Sequence, residues 1–138
     1  MGAIMLFSLF LLLFSLRPAA AQKSVDIANI QMPAYLGTMT SAANPCTSAK
    51  QFVSAIRLHP RGGKVQIYTV QVLDSANNWQ TLNVAGVLPA NKDTDWLPLT
   101  VGLNRCISQV LVYGDGILQN PNDSPVHLLI SAQLDQIK

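Results

Sequence analysis

Apolar residues recur at every second position in short runs along this chain, and each run is closed by Gly, Pro or Asn. A period of two places successive side chains on opposite faces of an extended strand. Leu128, Ile130, Ala132 and Leu134 align on one side of a strand from Val126 to Leu134. Leu97, Leu99 and Val101 alternate with Trp96, Pro98 and Thr100, and Pro98 gives up a ladder donor, which predicts an edge or bulged strand. No stretch carries a helical period. All acidic residues are Asp, with no Glu anywhere. Asp favours turns and Glu favours helices. Closely spaced short strands with such turns predict an all-β fold, a single antiparallel β-sandwich of jelly-roll-like form.

The same reading places the elements. A first strand is expected over Val25 to Gln31, and Gly37 to Pro45 reads as a polar loop. Phe52 to Leu58 alternates, with Phe52, Ile56 and Leu58 on one face and Val53, Ala55 and Arg57 on the other. His59 to Gly63 reads as a turn joining this strand to Lys64–Leu73 in a hairpin. The second strand changes phase, Val65 and Ile67 on one parity and Val70 and Val72 on the other, so a β-bulge is expected near Tyr68-Thr69. Asp74 to Asn78 is a turn, Trp79 to Val84 a strand, and Gly86, Pro89 and Asn91 to Asp93 are loop residues. Cys106 to Tyr113 is a strand with Cys106, Ser108, Val110 and Val112 on one face, and Gly114 to Pro125 is loop.

An apolar run from Ile4 to Leu16 precedes all of this, followed by Pro18 and the small residues Ala19-Ala20-Ala21. The run is too short to cross a bilayer core. It predicts a signal peptide over 1–21, cleaved after Ala21, a mature domain over 22–138, and a periplasmic or secreted location with no stable membrane anchor. In an exported protein the default for the two cysteines, Cys46 and Cys106, is a disulfide; two free thiols or a redox pair are the alternatives, and no Cys-x-x-Cys motif favours the latter. Beyond the signal the charge is close to neutral and the Lys and Arg residues form no stripe, which disfavours nucleic acid.

The ordered set Ile56-Arg57-Leu58, Gly62-Gly63, Thr94-Asp95-Trp96-Leu97-Pro98-Leu99, Asn104-Arg105-Cys106-Ile107-Ser108 and Gly114 resembles the small exported bacterial family typified by YaaI, a domain of unknown function. The likeness covers Leu36 to Leu134, with a longer stretch between Cys46 and Phe52 than the family pattern has. It implies an exported β domain and brings no activity and no site residues. The strand order is also similar to discoidin-like, galactose-binding-type jelly rolls, a likeness of fold alone.

Few residues invite chemistry. His59 sits in a Pro/Gly turn and His127 begins a strand, without a ligand spacing for metal, so both read as surface residues. Asp93 and Asp95 flank Thr94, and Asp115 lies between two glycines; turn capping explains them better than calcium. No Ser stands in a Gly-x-Ser-x-Gly elbow, only Asp pairs could serve a glycosidase and the two-residue spacing of Asp93 and Asp95 does not build a cleft, and no phosphate loop occurs. No cofactor and no metal are expected. Trp79 and Trp96, with Asp93 and Asp95, are the candidate ligand contacts, because sugar faces pack on rings while hydroxyls need fixed polar partners. Covering the ends of the core is the competing role for Trp79 and Trp96. The functional expectation is a non-catalytic exported envelope protein whose partner is a carbohydrate or another envelope protein. A structural accessory factor and a small hydrolase are the alternatives.

Overall fold

The alternating runs resolve into nine strands in the computed structural model, which describes residues 23–100, 105–118 and 124–137. The expected signal segment, Val101 and the Gly102–Asn104 turn lie outside those residues. The strands are β1 (Lys23–Gln31), β2 (Gly37–Ala42), β3 (Gln51–Arg61), β4 (Lys64–Asp74), β5 (Trp79–Thr81), β6 (Gly86–Leu88), β7 (Leu97–Pro98), β8 (Ile107–Ile117) and β9 (His127–Gln136). One sheet has the order β1-β9-β3-β7, the other β2-β8-β4-β5, with β6 beside β5 on the same edge of β4. All pairings are antiparallel. Strands β1 to β4 alternate between the sheets, as do β7 to β9, which is the winding of a jelly roll.

The core lies between the two sheets. Val53, Ile56 and Leu58 of β3 and Leu128, Ile130 and Ala132 of β9 meet Val65, Ile67, Val70 and Val72 of β4 and Val110 and Val112 of β8. These side chains are almost wholly removed from water. Each valine, leucine and isoleucine among them contributes about 1.5–3 kcal/mol of burial.

Four one-residue bulges set which side chains face that core. On β4 the register passes from Ile67↔Gly114 to Thr69↔Tyr113, leaving Tyr68 unpaired, so both halves of the strand bury their apolar set as the phase change predicts. On β3 the pairing skips Ser54, which turns Val53 inward and leaves Phe52 half-buried, the reverse of the simple alternation. On β8 it skips Ser108, so Ile107 is buried in place of Ser108. On β1 it skips Ile27.

The expected β3–β4 hairpin is not formed. His59, Pro60 and Arg61 remain in β3, paired with β9, and the chain crosses to the other sheet through Gly62 and Gly63 alone. Gly62 has φ of 81°, the left-handed region that favours glycine. Two segments taken as loops are strands, and a third strand starts at Gly86, taken as a loop residue. Thr38 to Ala42 pairs with β8 as an edge strand, since Thr suits a half-exposed pleat and the free β8 edge supplies ladder partners. Gly114 to Ile117 continues β8 because Gly114 lets the β4 backbone close in; a Cβ there would collide with the carbonyl oxygen of Gln66. Gly86 to Leu88 likewise pairs with β4, and the expected Trp79–Val84 strand shortens to Trp79–Thr81. Pro98 lies on β7, an edge strand as its missing donor requires.

Cys46 and Cys106 are joined, Cα atoms 6.0 Å apart. The bridge ties the chain leaving β2 to the start of β8, next to the Ala43 N–H donating to Ser108 O. A disulfide is consistent with an oxidising compartment.

Candidate functional site

Residues 91–99 run along the free edge of β3 as an irregular strand. Asn91 N–H donates to Pro60 O, Thr94 N–H to Leu58 O and Leu99 N–H to Ser54 O. Leu58 N–H in turn donates to Thr94 Oγ1 at 3.1 Å, and this hydroxyl donates to Asp95 O. Thr94 is therefore the peg that fixes Asp93, Asp95 and Trp96 beside β3.

The outward side chains of β3 meet this segment in order. The Arg57 guanidinium lies over the Trp96 ring, 4.5 Å from its centroid. Arg61 Nη2 donates to Asp93 Oδ1 at 3.0 Å. His59 Nδ1 is 2.9 Å from the same oxygen but out of line with the ring N–H direction, so the two are in contact without an aligned hydrogen bond. Contact with the His59 ring, helped by Arg61 and opposed by burial, holds the Asp93 carboxyl below the ordinary carboxylate range.

A second polar contact on His59 comes from 72 residues away. Ser131 Oγ lies 2.7 Å from His59 Nε2 and donates to Asp26 Oδ1 at 2.9 Å. Ser131, His59 and Asp93 thus stand in the order of a Ser-His-Asp relay. The single hydroxyl hydrogen of Ser131 goes to Asp26 Oδ1, the hydrogen that a relay would pass to His59 Nε2. Ser131 is 5% exposed and sits mid-strand, with β1 on one side and β3 on the other, its backbone held in a ladder that leaves no oxyanion donors. No sequence motif signalled this cluster, since its members are single residues on β1, β3, β9 and the 91–99 segment.

The other candidates lie elsewhere. Trp79 is on β5 of the second sheet, 46% exposed, so it shares no site with Trp96. Asp115 is on β8 of that sheet and does not converge with Asp93 and Asp95. His127 Nδ1 is 2.9 Å from Asn29 Oδ1 at the surface. Among the described residues no three His, Cys or Asp side chains gather in a metal-binding group.

The outer face of the second sheet differs sharply in chemistry from the first. Its pairings put Trp79 opposite Leu73 and Tyr113 opposite Thr69, all pointing away from the buried Val70, Val72 and Val112. The bulged Tyr68, 51% exposed, packs against Tyr113 with ring centroids 5.7 Å apart. Trp79 and Tyr68 therefore stand on a sheet face rather than covering the ends of the core. Gln71, Gln109 and Leu111 lie between the rings, with Gln71 Nε2 donating to Thr81 Oγ1 at 3.0 Å. The central rows carry no ionisable carboxylate or cation; Asp115 and Lys64 lie at one end.

Comparison with protein-family models found no match to the chain, and no curated protein matches it.

Proposed function

We propose that the chain is an exported, non-catalytic binding protein of the periplasm or the extracellular space, kin to the YaaI-type family, and that it holds a neutral saccharide chain on the outer face of its second sheet. One observation carries this reading: a sheet face bearing exposed rings at two corners, amides between them and no charge in its middle. Ring faces pack on the apolar faces of sugars, and amides serve hydroxyls as both donor and acceptor. Trp79 and Tyr113 are separated by four residues along β4 and by two strand spacings, about 13 Å by about 10 Å on standard sheet dimensions. Such a span suits several linked rings rather than one. The donor directions at Ser131 support a role for the first sheet's cluster in holding the fold rather than in hydrolysis.

The test is a thermal-shift and affinity-electrophoresis panel of neutral glucans, neutral cell-wall glycans and monosaccharides on the oxidised protein. A ligand at 100 times its dissociation constant adds about 2.7 kcal/mol. That raises the melting temperature by roughly 10 °C for a domain of this size. Trp79→Ala and Tyr68→Ala should each abolish the retardation while leaving the melting temperature of the free protein within about 2 °C. Retardation that survives both substitutions, or no response to any glycan, removes the saccharide reading. The second result would leave a protein partner for this face.

A further inference from the structure

Among the described arginines, each of two has an aspartate and a third has none. Arg61 holds Asp93 at 3.0 Å, and Arg105 lies 3.9 Å from Asp74. Arg57, on the same strand as Arg61, pairs with no carboxylate among the described residues. Its Nε is buried without a hydrogen-bond partner, and its guanidinium is half-buried against Trp96. Leaving a charged donor desolvated and unpaired is costly, and Asp26 and Asp93 cannot relieve it. Asp93 is engaged by Arg61 and His59, and Asp26 by Ser131. The Trp96 ring holds the guanidinium plane in place, so its fork of N–H groups is already oriented.

We propose that Arg57, set over Trp96, is the receptor for the carboxylate of a uronic-acid residue. A planar guanidinium matches a carboxylate in bidentate fashion. Three aspartates nearby, Asp26, Asp93 and Asp95, give the surroundings a negative cast that a singly charged carboxylate tolerates better than a doubly charged phosphate. Asp95, exposed next to Trp96, and the carbonyl groups of the 91–99 segment are acceptors, and they call for hydroxyl donors on the ligand. A sugar acid carries both the carboxylate and those hydroxyls; a simple carboxylate carries only the first. The site lies on the opposite sheet from the neutral face and does not depend on it.

The experiment is a nitrogen-15 NMR titration of the oxidised protein, reading Arg57 Nε–H and the indole N–H signals of Trp96 and Trp79. Glucuronate and galacturonate are compared with glucose, acetate and inorganic phosphate at equal ionic strength. A uronate should shift the Arg57 and Trp96 signals saturably and leave Trp79 in place, with affinity at least about tenfold above acetate and phosphate and no response to glucose. Arg57→Gln should abolish the shift at Trp96. Arg57→Lys, which keeps the charge and the stem but not the fork, should weaken it by about tenfold and serves if the glutamine variant does not fold. No saturable shift with either uronate, equal shifts with glucose, phosphate binding as tightly as uronate, or full affinity in Arg57→Lys would each overturn the proposal.

Discussion

Ser131 donates its hydroxyl hydrogen to Asp26 and lies 2.7 Å from Nε2 of His59, so one small side chain joins β1, β9 and β3 across the outer face of the first sheet. Through the second ring nitrogen of His59 the chain of contacts reaches Asp93 and the segment that closes the β3 edge.

Removing that hydroxyl leaves the half-buried His59 nitrogen without its hydrogen-bond partner. Ser131→Ala should lower stability by about 1–2 kcal/mol, seen as a lower urea midpoint with an unchanged slope. In the native protein Ser131 should not react with a fluorophosphonate, because its oxygen is occupied and nearly inaccessible. Stoichiometric labelling of Ser131 would refute the non-catalytic reading directly.

Asp74 and Asp93 make stability depend on acid. Burial of Asp74 works against its ionised form. The backbone N–H groups of Asn78 and Ala76, the Asn78 amide and Arg105 outweigh it and hold the carboxyl below its ordinary value. The Asp93 carboxyl is lowered as well, by His59 first and then Arg61. A carboxyl depressed in the folded state stabilises the fold fully above the unfolded value near 3.8, and that contribution is lost as pH falls through the folded value. Urea midpoints should therefore fall steadily below about pH 4, and Asp74→Asn should flatten the fall while lowering stability at pH 7. A midpoint independent of pH below about 4 would contradict these assignments.

Period-two alternation made most of the fold legible, and its failures have local causes. The Tyr68 bulge could be read because two apolar pairs of opposite parity met inside one strand. Those at Ser54 and Ser108 could not, since a single serine between apolar residues looks like ordinary alternation. Gly62-Gly63 resembles a hairpin turn, and only the partner choice of β3, which pairs with β9, shows it to be a crossover between sheets. The candidate site was half legible. Trp96, Asp93 and Asp95 are neighbours in sequence and in space, but their partners Arg57, His59 and Ser131 arrive through sheet register, which no local pattern encodes.

The close approach of β4 to β8 rests on one missing side chain. A methyl group at Gly114 would meet the Gln66 carbonyl, a backbone atom that cannot rotate away. Gly114→Ala should destabilise the domain by about 3 kcal/mol through forced separation of the central strands. Gly86→Ala has open space around its Cβ but a φ of 103°, so its cost is conformational and should stay near 1 kcal/mol. Comparing the two variants by urea melts separates crowding from strain, and equal losses would show that the Gly114 contact relaxes freely.

The Cys46–Cys106 bridge closes a loop of 60 residues that contains β3 to β7 and therefore strands from both sheets. In the chain-entropy account a loop of this length removes about 4 kcal/mol of freedom from the unfolded chain. Its ends already lie close in the fold, because β2 and β8 are paired up to Ala42↔Gln109 just before the half-cystines. Reduction should therefore leave the sheets in place and act on the unfolded state. With a urea slope of about 2 kcal/mol per molar, the midpoint should drop by about 2 M, and the slope should rise as the released chain exposes more surface. The Cys46→Ala/Cys106→Ala double variant should behave like the reduced protein. A midpoint unchanged by reduction would mean that the unfolded chain is already confined without the bridge.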